Sequence, residues 1–231
     1  MDIQTVLRAR ANPEFAKKSK DYLKSPFDFY GIKVPEIRKI AKEYKNLPIS
    51  EVYKMFNNLW DSSYHEEKML ALFVLSLKRK EFDIGTWEFI LGKTKDIKTW
   101  DVCDEMSSHI TGEILAKNLC LMPDIKKLAE SSNAWQRRVA MISTIQLIRQ
   151  NKIELTFNLA EKLAYDEDIY VQKAAGWMLR EAGKKNNLAV KDFIMRHLDM
   201  KPFAFSYATE KMLELRKIKK EMKEKKNEDK S

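Results

Sequence analysis

Glycine is in short supply, with 6 among 231 residues, against an average usage of roughly 7%. Tight hairpins need glycine at positive-φ positions. A sheet built on short turns is therefore disfavoured, and a composition rich in Lys, Glu, Leu and Met makes helices the default. Cysteine is scarcer still. Cys103 and Cys120 form no CxxC pair, and His65, His109 and His197 are scattered without nucleophile–base spacing. Neither a disulfide framework nor a zinc site is expected, no Ser/His/Asp arrangement can be picked out, and no cofactor is implied. No glycine-rich loop of the kind that cradles phosphates occurs. Long apolar runs are missing as well. The opening MDIQTVLRARANPEF has no hydrophobic signal core, and no stretch approaches a membrane span, so a cytoplasmic location is expected.

What the chain has in excess is positive charge. Forty-three Lys and Arg face 34 Asp and Glu, a formal charge of +9, which favours a polyanionic partner, nucleic acid first and an anionic membrane second. Part of the excess lies in KIKKEMKEKKNEDKS at 217–231, read as a fraying helix that passes into disorder. Residues 1–216 remain as one domain, and 44% hydrophobic residues suffice for its core.

Helix punctuation is regular. Asn12-Pro13 and Pro35 open helices, Ser63 with Glu66 forms a capping-box pattern, and Asn133 with Gln136 repeats it more weakly. Asp168 can cap a helix that stops at Gly183, and Ser206 can cap the last long one. About a dozen helices and no strand are expected. Trp100, Trp135 and Tyr170 are spaced by 35 residues, and one further step back reaches His65. Each opens a helix that alternates with a second, as in PDIKKLAE and ELTFNLAEKLAYD. Helix pairs repeating on this scale predict an all-α solenoid of HEAT-like pairs whose equivalent helices line one concave, basic groove.

Within that period the stretch KTWDVCDEMS at 98–107 is anomalous. A shift of 35 aligns Asp104 with Met69, Val139 and Ala174, all apolar, and a shift of 34 aligns it with Arg138. Trp100 precedes Asp104 by four and shares its helix face. Trp135, Arg137 and Arg138 follow in the next repeat, and Lys173, Trp177 and Arg180 share a face in the one after. Two tryptophans, one carboxylate and several cations can thus converge on the groove. Trp135 reads better as a core or staple residue. One of Arg137 and Arg138 must be structural or solvated, because both cannot point inward. Glu66 and Glu67 are expected to cap and solvate their helix, and the histidines receive no role.

YLKSPFDFYGIKVPEIRKIAK at 22–42, TWDVCD at 99–104, WQRRVA at 135–140 and VQKAAGWMLREAGK at 171–184 together resemble the AlkD-like branch of the DNA alkylation repair family, over about residues 5–215. These are glycosylases built from HEAT-like helical repeats. The resemblance implies that Asp104 is the catalytic carboxylate, that Trp100 and Trp177 are the groove tryptophans, that Arg138, with Arg137 beside it, is the groove arginine, and that Tyr22 lies near the DNA. Thr99 departs from the pattern, standing where members often have a second aromatic. The implied substrates are N3- and N7-alkylated purines in double-stranded DNA, attacked by a monofunctional enzyme from a shallow groove without a tight base pocket and with phosphates held by Arg138, Lys173 and Arg180; a monomer is the default, since a solenoid with both ends capped needs no partner. The alternative is a HEAT-like nucleic-acid-binding or scaffold protein with no chemistry.

Overall fold

The computed structural model describes residues 3–228. Among them the chain is all-helical, with no β-strand and one isolated bridge between Asp28 and Tyr64. It divides into two compact units between Ile114 and Leu115. The first holds α1 (Ile3–Arg8), α2 (Pro13–Leu23), α3 (Val34–Glu43), α4 (Ile49–Trp60), α5 (His65–Ser76), α6 (Ile84–Leu91) and α7 (Trp100–Met106), and the division falls inside α8 (Gly112–Lys117). The second holds α9 (Met122–Ala129), α10 (Ala134–Ile142), α11 (Ile145–Arg149), α12 (Glu154–Leu163), α13 (Ile169–Gly183), α14 (Asn187–Arg196), α15 (Pro202–Ala208) and α16 (Leu213–Glu228). The helical segments outnumber the expected dozen because several turns that read as parts of longer helices are separate short ones.

The helical repeat is visible inside each unit. In the second, α9 packs on α12, α10 on α13, and α13 on α15, so first helices touch first helices and second touch second. In the first, α5 is packed by α3, α4 and α7. The helices α5, α7, α10 and α13 begin at His65, Trp100, Ala134 and Ile169, which matches the sequence period to within one residue. α4 is amphipathic, burying Val52, Phe56, Leu59 and Trp60 at intervals of three and four. α5 is different. Every residue from His65 to Leu75 is buried, so its charged first turn lies inside the unit with the rest.

That burial overturns the expectation that Glu66 and Glu67 cap and solvate α5. Tyr64, not Ser63, is the N-cap residue, and it makes no side-chain cap bond. The Glu66 carboxylate, in a residue 2% exposed, instead accepts the backbone N–H groups of Tyr30, Gly31 and Ile32 at 3.0, 2.7 and 3.1 Å. Glu67 accepts the Tyr30 hydroxyl at 2.7 Å, and burial together with this carboxylate pushes the phenol pKa up. The loop between α2 and α3 is thus bonded to the start of α5. It also pairs there through Asp28 N–H to Ser63 O and His65 N–H to Asp28 O, both 2.9 Å. Gly31 is required in this loop: its φ is +83°, and a Cβ would lie 2.0 Å from the Asn12 carbonyl oxygen.

Other caps follow expectation. Asn12 accepts from Phe15 N–H, Asn133 from Trp135 N–H, and Asp168 from Tyr170 and Val171 N–H. α13 ends at Gly183 as read. Ser206 does not cap the last helix. It lies within α15, and its carbonyl accepts from Arg216 Nη2 at 2.9 Å. The lysine-rich end expected to fray from 217 continues α16 to Glu228, and residues 229–231 lie outside the described ones. No helix among the described residues is long and apolar enough to cross a membrane.

Removing the Glu66 carboxylate leaves three buried N–H donors without their acceptor, at about 1 kcal/mol or more each. Glu66→Ala is therefore expected to lose about 3 kcal/mol or more, read as a lowered urea midpoint with an unchanged m-value.

Candidate functional site

Thr99 closes the turn before α7 in extended backbone (φ −136°) and is itself buried, so the position where an aromatic was expected is occupied by a small side chain inside the core. From there α7 carries three acids in a single pair of turns, and packing separates their environments. Asp101 is mostly buried, and its Oδ2 lies 2.8 Å from His65 Nε2 across the repeat. Its Oδ1 accepts the Val102 N–H at 2.9 Å. Burial raises the Asp101 pKa, but the hydrogen bond and charge of His65 and the backbone N–H outweigh it, and the carboxyl titrates below its ordinary range. Glu105 is buried and receives Arg38 Nη2 at 2.7 Å, while the Arg38 guanidinium stacks 3.9 Å from the Phe73 ring centroid. Asp104 lies between them in sequence and is half-buried, as is Trp100 one turn earlier.

Past Met106 the helix widens into a π-helical stretch at Ser107–Thr111. The Ser107 hydroxyl donates to the Cys103 carbonyl at 2.6 Å, and the Ser107 N–H turns to the carbonyls of Cys103 and Asp104. A π-turn offsets the helix faces on either side of it and recurs at functional sites.

Tyr22, at the end of α2, is 74% exposed and meets Trp100 edge-on, with ring centroids 6.0 Å apart and planes at 83°. Both rings border a cavity of about 260 Å³ whose wall also includes Phe15, Phe29, His65 and Asp101. Phe29 stacks on the His65 ring at 4.6 Å. His65 was given no role from sequence. The signal that could have found it was its place one period before Trp100, where it meets the residue next to that tryptophan.

In the second unit Arg137 proves to be the structural member of its pair. Its Nε and Nη2 donate to Asp166 Oδ2 and Oδ1 at 2.6 and 2.9 Å. Its Nη1 donates to the carbonyls of Ser131 and Ser132 at 2.9 and 3.0 Å. A guanidinium forked in this way is committed within the fold. Arg138 is 5% exposed, and its Nη1 donates to the Tyr170 carbonyl, bracing the start of α13. Trp135 is half-buried and packs on Tyr170 with centroids 5.1 Å apart, a contact between successive repeats in keeping with the staple reading. On α13, the Lys173 ammonium stands 5.7 Å from the Tyr170 ring and 5.0 Å from that of Phe203. Trp177 is half-buried one turn on. Arg180 pairs with Glu210 and lies 3.7 Å from Glu181. No group of three or more His, Cys, Asp or Glu side chains placed to hold a metal ion occurs among the described residues.

The family model described as DNA alkylation repair enzyme matches residues 3–212. A solved structure titled as a predicted DNA alkylation repair enzyme from Enterococcus faecalis is similar with a TM-score of 0.74 and 24% identity, covering 88% of this chain and 97% of that one. A Streptococcus mutans protein matches with TM-score 0.60, 21% identity and coverage of 88% and 98%. AlkD2 from Streptococcus mutans matches with 0.59, 21%, 85% and 96%. At these identities the structural likenesses establish the fold. No curated protein matches the chain.

Two outcomes test the electrostatics. Arg137→Ala leaves the buried Asp166 carboxylate unpaired and is expected to cost about 3–5 kcal/mol in urea unfolding. Asp101→Asn tests the depressed carboxyl. A group with a lowered folded pKa contributes stability above its unfolded value of about 3.9 and loses it as pH falls through the folded pKa. The stability gap between wild type and Asp101→Asn is therefore expected at neutral pH and should narrow as pH is taken below about 4.

Proposed function

Because this chain belongs to the DNA alkylation repair enzyme family, we propose that it is a monofunctional DNA glycosylase, acting as a monomer, that hydrolyses the N-glycosidic bond of cationic N3- and N7-alkylated purines in duplex DNA. The observation that carries this reading is the half-buried Trp100–Asp104 pair, one turn apart on α7.

An alkylated purine of this class already carries positive charge, so it leaves as a neutral base without a general acid. The bond breaks toward an oxocarbenium-like sugar. Asp104 stabilises that cation and orients or deprotonates the attacking water. One carboxylate at ~4 Å in an effective dielectric of ~20 is worth roughly 4 kcal/mol against a cation, or about a thousandfold in rate. That suffices to matter for a labile cationic nucleoside and is far too little for a neutral one. Trp100 and Trp177 offer π faces, each worth on the order of 1 kcal/mol to a nearby cation. Lys173, Arg180 and Tyr22 contact the DNA backbone, giving a salt-dependent grip without sequence readout. Arg138 acts by bracing α13, and Arg137 by holding the Asp166 loop.

The test is a duplex carrying a single 7-methylguanine, with abasic-site formation followed over time. Wild type is expected to release the base, and Asp104→Asn to bind the duplex equally well but release the base roughly a thousandfold more slowly. If both proteins bind and neither releases the base, the chain is a DNA-binding module instead. Efficient excision of uracil would also count against the mechanism, because a neutral lesion needs help that one carboxylate cannot supply.

A further inference from the structure

The packing of α15 on α13 leaves aromatic rings at the surface that no step of the proposed reaction requires. We infer that Phe203 and Tyr207 on α15 form an apolar subsite for the deoxyribose of a duplex strand, beside Lys173, which takes the adjoining phosphate. The inference rests on the proposal that the chain binds duplex DNA, not on base release, and it adds a contact that salt does not screen.

α15 is short, and its sides differ. Ala204, Phe205 and Ala208 are buried, whereas Phe203 and Tyr207 are 42% and 36% exposed; being four apart, the two rings share a face. The helix is seated directly on α13. A Cβ at Gly176 would lie 2.4 Å from the Ala204 carbonyl oxygen and 2.6 Å from the Tyr207 Cβ, so the approach is one that only glycine admits. It sets Tyr207 against the residue that precedes Trp177, and Phe203 beside Lys173. The Lys173 ammonium is 5.0 Å from the Phe203 ring centroid and 5.7 Å from that of Tyr170.

Single exposed apolar residues are ordinary on a protein surface, but rings that adjoin across two helices mark an interaction site. Charge selects its partner. Glu210, three residues after Tyr207, is already paired with Arg180, and Lys201, just before α15, with Glu167. Lys173 stands against ring faces, where an ammonium keeps its positive field. A cation flanked by apolar rings fits a chain in which anionic and apolar groups alternate, and the duplex backbone is such a chain: phosphates joined by sugars whose faces carry C–H groups. The net charge of +9 favours this polyanion. Lys173 and Trp177 are the α13 residues already proposed to meet DNA, and α15 extends that contact by one helix.

The two kinds of contact respond differently to salt. Each phosphate held by a cation adds about −0.9 to the slope of log K on log salt concentration, whereas apolar burial adds affinity without releasing counterions. The experiment measures duplex affinity by fluorescence anisotropy over a range of salt concentrations. It uses the full chain, the double variant Phe203→Ser/Tyr207→Ser, the ring-preserving double variant Phe203→Tyr/Tyr207→Phe, and Lys173→Ala. Circular dichroism and the urea midpoint confirm that each folds, and the single serine variants carry the comparison if the double one does not.

The serine double variant is expected to bind about tenfold more weakly at every salt concentration, a loss of 1.4 kcal/mol, with the wild-type slope. The ring-preserving variant is expected to keep wild-type affinity, and Lys173→Ala to flatten the slope by about 0.9. If the folded serine variant binds as tightly as wild type, the subsite is overturned, whatever the outcome of the base-release assay. If its loss comes with a flatter slope, the rings only position Lys173 and the apolar subsite is overturned. If the serine variant binds weakly as expected while wild type releases no base, the subsite stands and the glycosylase reading falls. Failure of wild type to bind duplex DNA at all overturns both.

Discussion

A pair of helices cannot bury its own apolar face, and this constraint shapes both units. The faces of α5 and α13 are closed by the helices before and after them in the stack, α3, α4 and α7 for the one, α10, α12, α14 and α15 for the other. α5 has consequently lost its amphipathic stripe and is buried along nearly its whole length. Its first turn nevertheless carries His65, Glu66 and Glu67. Buried carboxylates persist only if donors come to them, and the donors are the backbone of the 30–32 loop, the Tyr30 hydroxyl and, for the neighbouring helix, the His65 ring. Stacking of helices within each unit thus puts polar groups of successive repeats face to face at the helix starts.

The same logic recurs in the second unit with different chemistry. Arg137 forks onto Asp166, Arg138 reaches the Tyr170 carbonyl, and Trp135 lies on Tyr170. These contacts join residues about one repeat apart. They fix the rotation of each long helix about its axis, and that rotation decides which of its residues reach solvent. On α7 it leaves Trp100 and Asp104 half-exposed, sets Asp101 against the His65 ring and pairs Glu105 with Arg38. On α13 it leaves Lys173 and Trp177 half-exposed. The setting of the side chains proposed for chemistry therefore depends on partners about one repeat away, among them His65, Arg38 and Arg138.

Much of this was legible in sequence. The scarcity of glycine, the proline and asparagine caps and the recurrence of an aromatic every 35 residues predicted helices whose observed starts, His65, Trp100, Ala134 and Ile169, fall where the period puts them. Periodicity reads well because every repeat must satisfy the same packing requirement. The Trp100–Asp104 spacing was legible for a related reason: four residues make one helical turn, so the shared face follows from the helix alone. Capping was read correctly at Asn12, Asn133 and Asp168, where the acceptor lies within three residues of its donor. It failed at Ser63 and Ser206, where the sequence pattern is equally good but tertiary contacts take the side chain or the helix elsewhere.

What sequence alone determined is local: helix positions, the repeat length, the absence of metal-binding spacing and the i, i+4 face that joins a tryptophan to an acid. Partner choice belonged to the tertiary structure. The sequence did not decide which of Arg137 and Arg138 is committed to Asp166, or whether Glu66 is solvated or buried, because the groups that decide each case lie 29 to 36 residues away. Ion pairing and desolvation act through space, over a few ångströms, and only the folded chain brings His65 to Asp101, Asp166 to Arg137 and the 30–32 loop to Glu66.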